Sequence, residues 1–278
     1  MHIRRLTQQD KTSLLKTFND AFADYIVPFK LNEEQLEFKI TQENIQLEWS
    51  IGVFEEENLV AFIMHGVREI NSKKSIYNAG TGIIPKHRGQ GLIGKMYDYI
   101  LPYLKVEQAE KIVLEVIENN LPAIRSYEKN GFVVNRKLLC FGGEIKTQAS
   151  TNPIKIEEMK TLPWDVLQTF WDVIPSWQND NQSMETVKQE AFGSFVNDEL
   201  VGYIIFNSKG KKISQIAVAP NFRRRGIGTQ LMEQVGKRLL KEEARINNID
   251  ERAQNVKLFF EKQGLVNRIN QYEMIKVL

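Results

Sequence analysis

Several things are scarce in this chain, and each scarcity closes off a class of function. There is one cysteine, Cys140. It excludes an intramolecular disulfide framework and reads as a small core hydrophobe in a reducing compartment. The three histidines, His2, His65 and His87, are scattered. With a single cysteine they cannot assemble a zinc site, and no metal is expected. Charge of either sign is not in excess: 37 basic against 35 acidic side chains leave a net charge of +2. That balance gives no support for a nucleic-acid or membrane surface. No apolar run approaches the length of a membrane span. The opening Met1-His2-Ile3-Arg4-Arg5-Leu6-Thr7 reads as a strand with no stretch of signal-peptide length behind it. The expectation is a cytoplasmic globular protein with neither nucleic acid nor membrane as partner.

What the chain does contain is a repeat. Pro85-Lys86-His87-Arg88-Gly89-Gln90-Gly91 returns 135 residues later as Pro220-Asn221-Phe222-Arg223-Arg224-Arg225-Gly226. Each copy follows a β-branched apolar run, Gly82-Ile83-Ile84 or Ile216-Ala217-Val218, and each opens an amphipathic helix. A strand, a glycine-rich turn and a helix N-terminus together make an anion site, where free backbone N–H groups meet the positive end of the helix dipole. Further on, Tyr127-Glu128-Lys129-Asn130-Gly131-Phe132 is echoed by Phe260-Glu261-Lys262-Gln263-Gly264-Leu265 at an offset of 133. A length of 278 residues suits two domains better than one core. The polar, breaker-rich Gln148-Ala149-Ser150-Thr151-Asn152-Pro153 marks the join, giving domains at 1–147 and 148–278.

Periodicity predicts a strand at 2–7 and a helix at 9–27 with the stripe Leu14, Leu15, Phe18, Phe22, Ile26. A helix at 32–46 and strands at 50–55, 59–70 and 75–84 follow. Then come a helix at 90–105, a strand at 111–117, a helix at 120–130 and a strand at 132–142. The second copy predicts strands near 154–158, 191–197, 200–207 and 212–219, a helix at 226–241, and weaker elements afterwards. Such alternation implies an α/β or α+β sheet covered by helices. Trp164, Trp171 and Trp177 cluster at the start of the second domain. The spacing of Trp164 and Trp171 by two helical turns suggests a packing face first and an aromatic pocket or domain interface second.

The turn followed by Asn-x-x-Ala-x-x-x-Tyr-x-x-x-Gly-Phe resembles the GNAT superfamily of acyl-CoA-dependent N-acyltransferases. The first copy supplies Arg88-Gly89-Gln90-Gly91, then Asn120, Ala123, Tyr127 and Gly131-Phe132. The second supplies Arg223-Arg224-Arg225-Gly226-Ile227-Gly228 and the 260–265 echo. The resemblance spans nearly the whole chain and implies two tandem domains, each a mixed, mostly antiparallel sheet flanked by helices. It implies acetyl-CoA as co-substrate. In the first copy Ile83, Ile84, Arg88, Gly89, Gln90, Gly91, Leu92, Ile93, Gly94, Lys95, Asn119, Asn120 and Ala123 are the expected contacts. In the second they are Val218, Arg223, Arg224, Arg225, Gly226, Ile227 and Gly228. Acyl transfer from thioester to amine also needs an oxyanion donor, a base and an acid. The resemblance gives the acid to Tyr127, and the backbone N–H near Ile84 is the expected oxyanion donor. Glu115 in Leu114-Glu115-Val116 is a candidate base, with a solvated strand-end carboxylate as the plain alternative. Asp20, Asp24 and Tyr25 are candidates for binding a cationic amine, against a solvated helix face.

Each copy departs from the pattern. Ile93 stands where the first motif expects Gly or Ala, and it could crowd the pyrophosphate or point into the helix–sheet interface. Phe260, Ala253 and Val256 replace Tyr127, Asn120 and Ala123 in the second. Phenylalanine cannot donate a proton, so catalysis is expected in the N-terminal copy, on a small-molecule or peptide amine. The rival readings are catalysis in the C-terminal copy, whose turn keeps both glycines, and a non-catalytic acyl-CoA-binding regulator. A nucleotide-binding P-loop is poorly supported, because neither turn ends in Gly-Lys-Ser/Thr. The oligomeric state is not readable.

Overall fold

The computed structural model describes residues 1–27, 29–70, 72–146 and 154–278, which divide into two compact units. Unit 1 is Met1–Asn135 with Tyr272–Leu278, and unit 2 is Arg136–Gln271. The boundary expected near residue 148 lies outside the described residues.

Unit 1 runs β1 (His2–Arg5), α1 (Lys11–Phe22), α2 (Glu33–Gln42), β2 (Ile51–Glu55), β3 (Asn58–Ile70), β4 (Lys73–Ile83), α3 (Leu92–Val106), β5 (Ala109–Ile117) and α4 (Leu121–Lys129). Local chemistry sets several ends. Asn32 and Gln35 form a reciprocal capping box that starts α2. Asp10 accepts from Thr7 and from both Nη atoms of Arg4, which hold its carboxyl down at about 2. α1 stops at Phe22 rather than 27, so Asp24, Tyr25 and Ile26 lie beyond it and Ile26 is 51% exposed. Asp20 stays exposed on the helix, and the expected face shared by Asp20 and Asp24 does not form.

The strands of unit 1 lie in the order β1-β2-β3-β4-β5, antiparallel up to β4, with β4 and β5 parallel. One face carries α3 and α4 over a core that includes Ile63, Ile76, Met96, Ile100, Ile112 and Phe132. On the other face Phe18 of α1 stacks on Phe62 at 5.9 Å. Truncating one of these core side chains to alanine costs about 2–5 kcal/mol.

The feature that positions the site is in β4. Its register with β3 passes from Met64↔Gly80 to His65↔Asn78, so Ala79 is an extra, bulged residue. Its parallel pairing with β5 ends at Asn78↔Leu114. Beyond the bulge, β4 and β5 part, leaving one edge of Gly80 through Ile83 without a strand partner.

Unit 2 comprises β6 (Val133–Gly143) from Arg136 onward, β7 (Lys155–Glu158), α5 (Trp164–Leu167), α6 (Asn181–Glu185), β8 (Glu190–Val196), β9 (Glu199–Asn207), β10 (Lys212–Val218), α7 (Ile227–Leu239), β11 (Ala244–Asp250), α8 (Gln254–Lys262) and β12 (Val266–Asn267). Its sheet order is β6-β11-β10-β9-β8-β7, with β12 against β6. The last strand, β13 (Gln271–Val277), contributes Tyr272–Val277 to unit 1, next to β5. Unit 2 repeats the bulge: Ile213↔Phe206 is followed by Gln215↔Ile205, so Ser214 is extra. Its parallel β10–β11 pairing ends at Ile213↔Ile246. The expected helix joining Trp164 to Trp171 is one turn long, and Trp171 falls outside it. The two rings still meet edge to face at 6.5 Å. Among the described residues no helix is long and apolar enough to cross a membrane, and no group of three or more His, Cys, Asp or Glu could hold a metal.

Candidate active site

The glycine-rich turn ends on Gly91, in the left-handed region at φ 70°, as the N-cap of α3. A side chain is disfavoured at that φ, and none caps the helix, so its first N–H groups face outward unpaired. A Cβ at Gly89 or Gly91 would meet nothing within 4 Å, so the space before these donors is open. Leu92 is buried and Ile93 packs against the same core, pointing into the helix–sheet interface and away from the turn. Gln90 and Lys95 are exposed. At Gly94 a Cβ would make ordinary contact, 3.5 Å from Asn130 Oδ1.

The Arg88 side chain is engaged within the protein. Its Nη1 and Nη2 donate to the two oxygens of Asp24, both at 2.7 Å. Nη2 also reaches Ala21 O at 3.0 Å, and Nε reaches Ile83 O at 3.2 Å. The guanidinium thus ties the turn to the end of α1 and to β4, and it holds Asp24 below the usual carboxylate range. Asp24 is thus engaged by the protein itself. Arg223 repeats the pattern with Asp172 at 2.9 Å, Phe170 O at 3.1 Å and Val218 O at 3.0 Å.

Above the bulge a polar group gathers. Asn78 Nδ2 donates to Tyr97 Oη at 2.9 Å and to Thr81 Oγ1 at 2.8 Å, while its Oδ1 accepts from Gly80 N at 3.0 Å. Tyr127 on α4 is buried, its ring edge-on to Phe132 at 5.7 Å. Burial pushes its hydroxyl up to about 12, against the opposite pull of the Thr81 and Asn78 side chains beside it. Tyr127 therefore keeps its proton at neutral pH, as a general acid must. Asn120 caps α4 by accepting from Ala123 N at 3.3 Å and donates to Tyr25 Oη at 3.1 Å. Asn119 lies exposed just before it.

Of the backbone donors near Ile84, the N–H of Ile84 itself is taken, donating to Val60 O at 3.1 Å. Strand alternation turns the N–H groups of Thr81 and Ile83 the other way, toward the edge that β5 has left. Those two are the donors on offer there.

Glu115 is the first β5 residue past the last β4 pair, on the face opposite Leu114 and Val116. Tyr77 donates to its Oε2, while Oε1 is shut off from solvent without a partner. Burial pushes the carboxyl up to about 8, and the nearby Glu273 and Glu43 charges add to the effect.

In unit 2 the turn and the bulge persist and the polar group does not. Gly226, at φ 81°, opens α7 without a side-chain cap, but Arg224 holds a positive φ where unit 1 has Gly89. Ile227 is buried, and Gly228 lets Phe259 approach, its ring 3.2 Å from where a Cβ would stand. Asn78, Thr81, Tyr97 and Tyr127 correspond to Ile213, Ile216, Met232 and Phe260, all packed in or against one apolar core. Ala253 starts α8 with no side-chain cap. On the other face Gln215 stands where unit 1 has Gly80. Its Oε1 accepts from Tyr203 Oη and its Nε2 donates to Asn179 O, both at 2.6 Å. Trp171 Nε1 donates in turn to Tyr203 Oη at 2.6 Å, so side chains fill that space. Sequence reasoning missed Asn78, Thr81 and Tyr97. The signal was present as Asn, Thr and Tyr facing Ile, Ile and Met at the 135-residue offset.

Residues 14–132 match the sequence model of the acetyltransferase (GNAT) family, and 154–274 match that of an acetyltransferase (GNAT) domain. The chain is 32% identical over 99 residues to the spermine/spermidine N(1)-acetyltransferase of Bacillus subtilis (strain 168). That match covers 34% of this chain and 64% of the relative. Among solved structures, a GCN5-related N-acetyltransferase from Sphaerobacter thermophilus aligns at TM-score 0.72 and 16% identity, over 99% of this chain and 95% of that one. A tandem GNAT protein from the clavulanic acid biosynthesis pathway aligns at TM-score 0.71 and 10% identity, over 99% and 98% of the two chains. These likenesses carry the fold.

Proposed function

This chain belongs to the acetyltransferase (GNAT) family, and we propose that unit 1 moves an acetyl group from acetyl-CoA to a primary amine while unit 2 does no chemistry. The observation that carries this is the polar group at the parted edge of β4, Asn78, Thr81, Tyr97 and Tyr127, against Ile213, Ile216, Met232 and Phe260 in the other copy. A tyrosine kept protonated beside an open strand edge suits an acid that protonates a leaving thiolate. Four apolar side chains suit none of the reaction's proton transfers.

In this reading the uncapped start of α3 and the open space at Gly89 and Gly91 receive the pyrophosphate of acetyl-CoA. The N–H of Thr81 or Ile83 stabilises the oxyanion as the amine attacks the thioester carbon. The C–S bond breaks, and the sulfur takes the proton of Tyr127. Glu115 faces the amine: an ammonium against Oε1 offsets the burial that keeps the carboxyl neutral, and the ionised Glu115 takes the proton the amine sheds. Spermine and spermidine, in the name of the curated relative, are cationic amines of the kind this carboxyl would attract, and they are the first acceptors to try.

Calorimetric titration of acetyl-CoA, repeated with Gly91→Trp and Gly226→Trp, tests the assignment. Binding and turnover lost with Gly91→Trp alone support it. Turnover lost only with Gly226→Trp, or no binding by the unaltered chain, ends it. The uncapped α7 behind Gly226 favours one further reading, a second acetyl-CoA bound in unit 2 without turnover, which a stoichiometry of two would reveal.

A further inference from the structure

We propose that Asn78 is a positioning residue for Tyr127: through Thr81 it aims the tyrosine's proton outward, toward the edge that β5 leaves open. The inference rests on the reading of Tyr127 as the general acid and adds a residue to it.

The hydrogen bonds fix the direction of both amide protons of Asn78. Gly80 N–H can only donate, so the Asn78 atom it meets at 3.0 Å is the carbonyl oxygen. The other end is then the NH2, and its two protons go to Thr81 Oγ1 at 2.8 Å and Tyr97 Oη at 2.9 Å. Thr81 therefore accepts from Asn78, and its own O–H is left to donate. The side chain beside it is Tyr127, whose hydroxyl Thr81 and Asn78 both favour in its ionised form. An O–H donated to the Tyr127 oxygen leaves the phenolic proton no inward acceptor there, so it points outward. When that proton passes to the thiolate sulfur, the O–H bond breaks, an S–H bond forms, and the charge left on the phenolate falls where Thr81 already donates. The phenolate regains its proton from solvent, to which Glu115 passes the proton it takes from the amine. Atoms and charge balance without a further reactant.

Unit 2 is the internal control. Asn78 could have been needed only to hold the bulge, since its Oδ1 binds the N–H just past Ala79. Yet unit 2 makes the same bulge at Ser214 with Ile213 in that place. The fold does not require the amide. Where the amide is gone, the hydroxyl of Thr81, the phenol of Tyr97 and the acid itself have gone with it.

The test follows thiol release from acetyl-CoA, with spermidine as amine and with water alone, for Asn78→Ile, Tyr127→Phe and the double variant. Asn78→Ile installs the residue that unit 2 tolerates. It should lower kcat by about 10- to 100-fold while leaving the acetyl-CoA KM within about 2-fold. The double variant should be no slower than Tyr127→Phe. Unchanged kcat in Asn78→Ile overturns the proposal. So does a full loss repeated in the Tyr127→Phe background, which leaves Tyr127 as the acid and removes only the positioning. Tyr127→Phe at the unaltered rate, or no thiol release at all from the unaltered protein, overturns both readings. If Asn78→Ile fails to fold, Thr81→Val removes the intermediate hydroxyl from an isosteric side chain and must show the same non-additivity.

Discussion

Arg88 and Asp24 grip each other through two hydrogen bonds of 2.7 Å, and Arg223 with Asp172 makes the corresponding contact at 2.9 Å. In each unit the same guanidinium also takes the carbonyl at the end of the strand before the turn, Ile83 O or Val218 O. The arginine thus pins the turn in place, and the proposed anion site is left to backbone N–H groups. Arg88→Ala should weaken acetyl-CoA binding by about 3- to 10-fold, the modest loss expected of a half-exposed pair. Calorimetry checks it, and Asp24→Asn should follow Arg88→Ala. A loss confined to amine affinity in Asp24→Asn would return that residue to the acceptor.

Tyr127→Phe removes one oxygen from a buried ring. Turnover should fall by about 10²–10⁴-fold with little change in KM for either substrate, the signature of an interaction made only in the transition state. The converse change, Phe260→Tyr, should give unit 2 no activity, because Ile213 and Ile216 supply no partner for the new hydroxyl. Steady-state kinetics on both variants decides the matter.

Gly80 and Gln215 predict where the amine enters. Unit 2 fills the face opposite its polar-group position with Gln215, Tyr203 and Trp171 in one hydrogen-bonded chain. Unit 1 has glycine there, where a Cβ would stand 3.1 Å from Met64 Cε and 4.0 Å from Phe18. Gly80→Gln should raise the KM for the amine by about 10-fold or more and leave acetyl-CoA affinity unchanged. Equal losses for both substrates would place the amine elsewhere.

The repeat, the turns, the succession of strands and helices along the chain and the second copy's loss of its tyrosine were legible because each is a local pattern or a difference between two aligned stretches. Four features were not. The bulge at Ala79 is a register shift between strands distant in sequence, and no residue type announces it. It alone decides that Asn78 and Thr81 share a face despite odd spacing. Which N–H groups near Ile84 face the open edge was hidden for the same reason, since hydrogen-bond parity follows pairing and not composition. The grip of Arg88 on Asp24 was hidden because the two are 64 residues apart. The assignment of α1 to residue 27 failed where apolar residues ran on past the sheet they could cover, leaving Ile26 half exposed.

Glu115 makes stability depend on pH in a direction unusual for a carboxylate. Its native pKa, about 8, lies above its ordinary 4.5, so the folded protein keeps a proton that the unfolded chain releases. That contribution is full below 4.5 and is lost as pH rises toward 8, at up to about 1.4 kcal/mol per unit. His65 opposes it over part of the range. Burial pushes His65 down to about 4 from 6.5, so its contribution grows as pH rises between those values and is constant above. From pH 6.5 to 8 the Glu115 slope therefore stands clear of His65. Urea unfolding of the unaltered protein and of Glu115→Gln at both ends of that window makes the comparison. The unaltered protein should lose about 1–2 kcal/mol relative to the variant, which cannot ionise and keeps the Tyr77 contact. Parallel behaviour would mean an ordinary carboxylate at Glu115, already ionised before any amine arrives and able to act as base without help from the acceptor's charge.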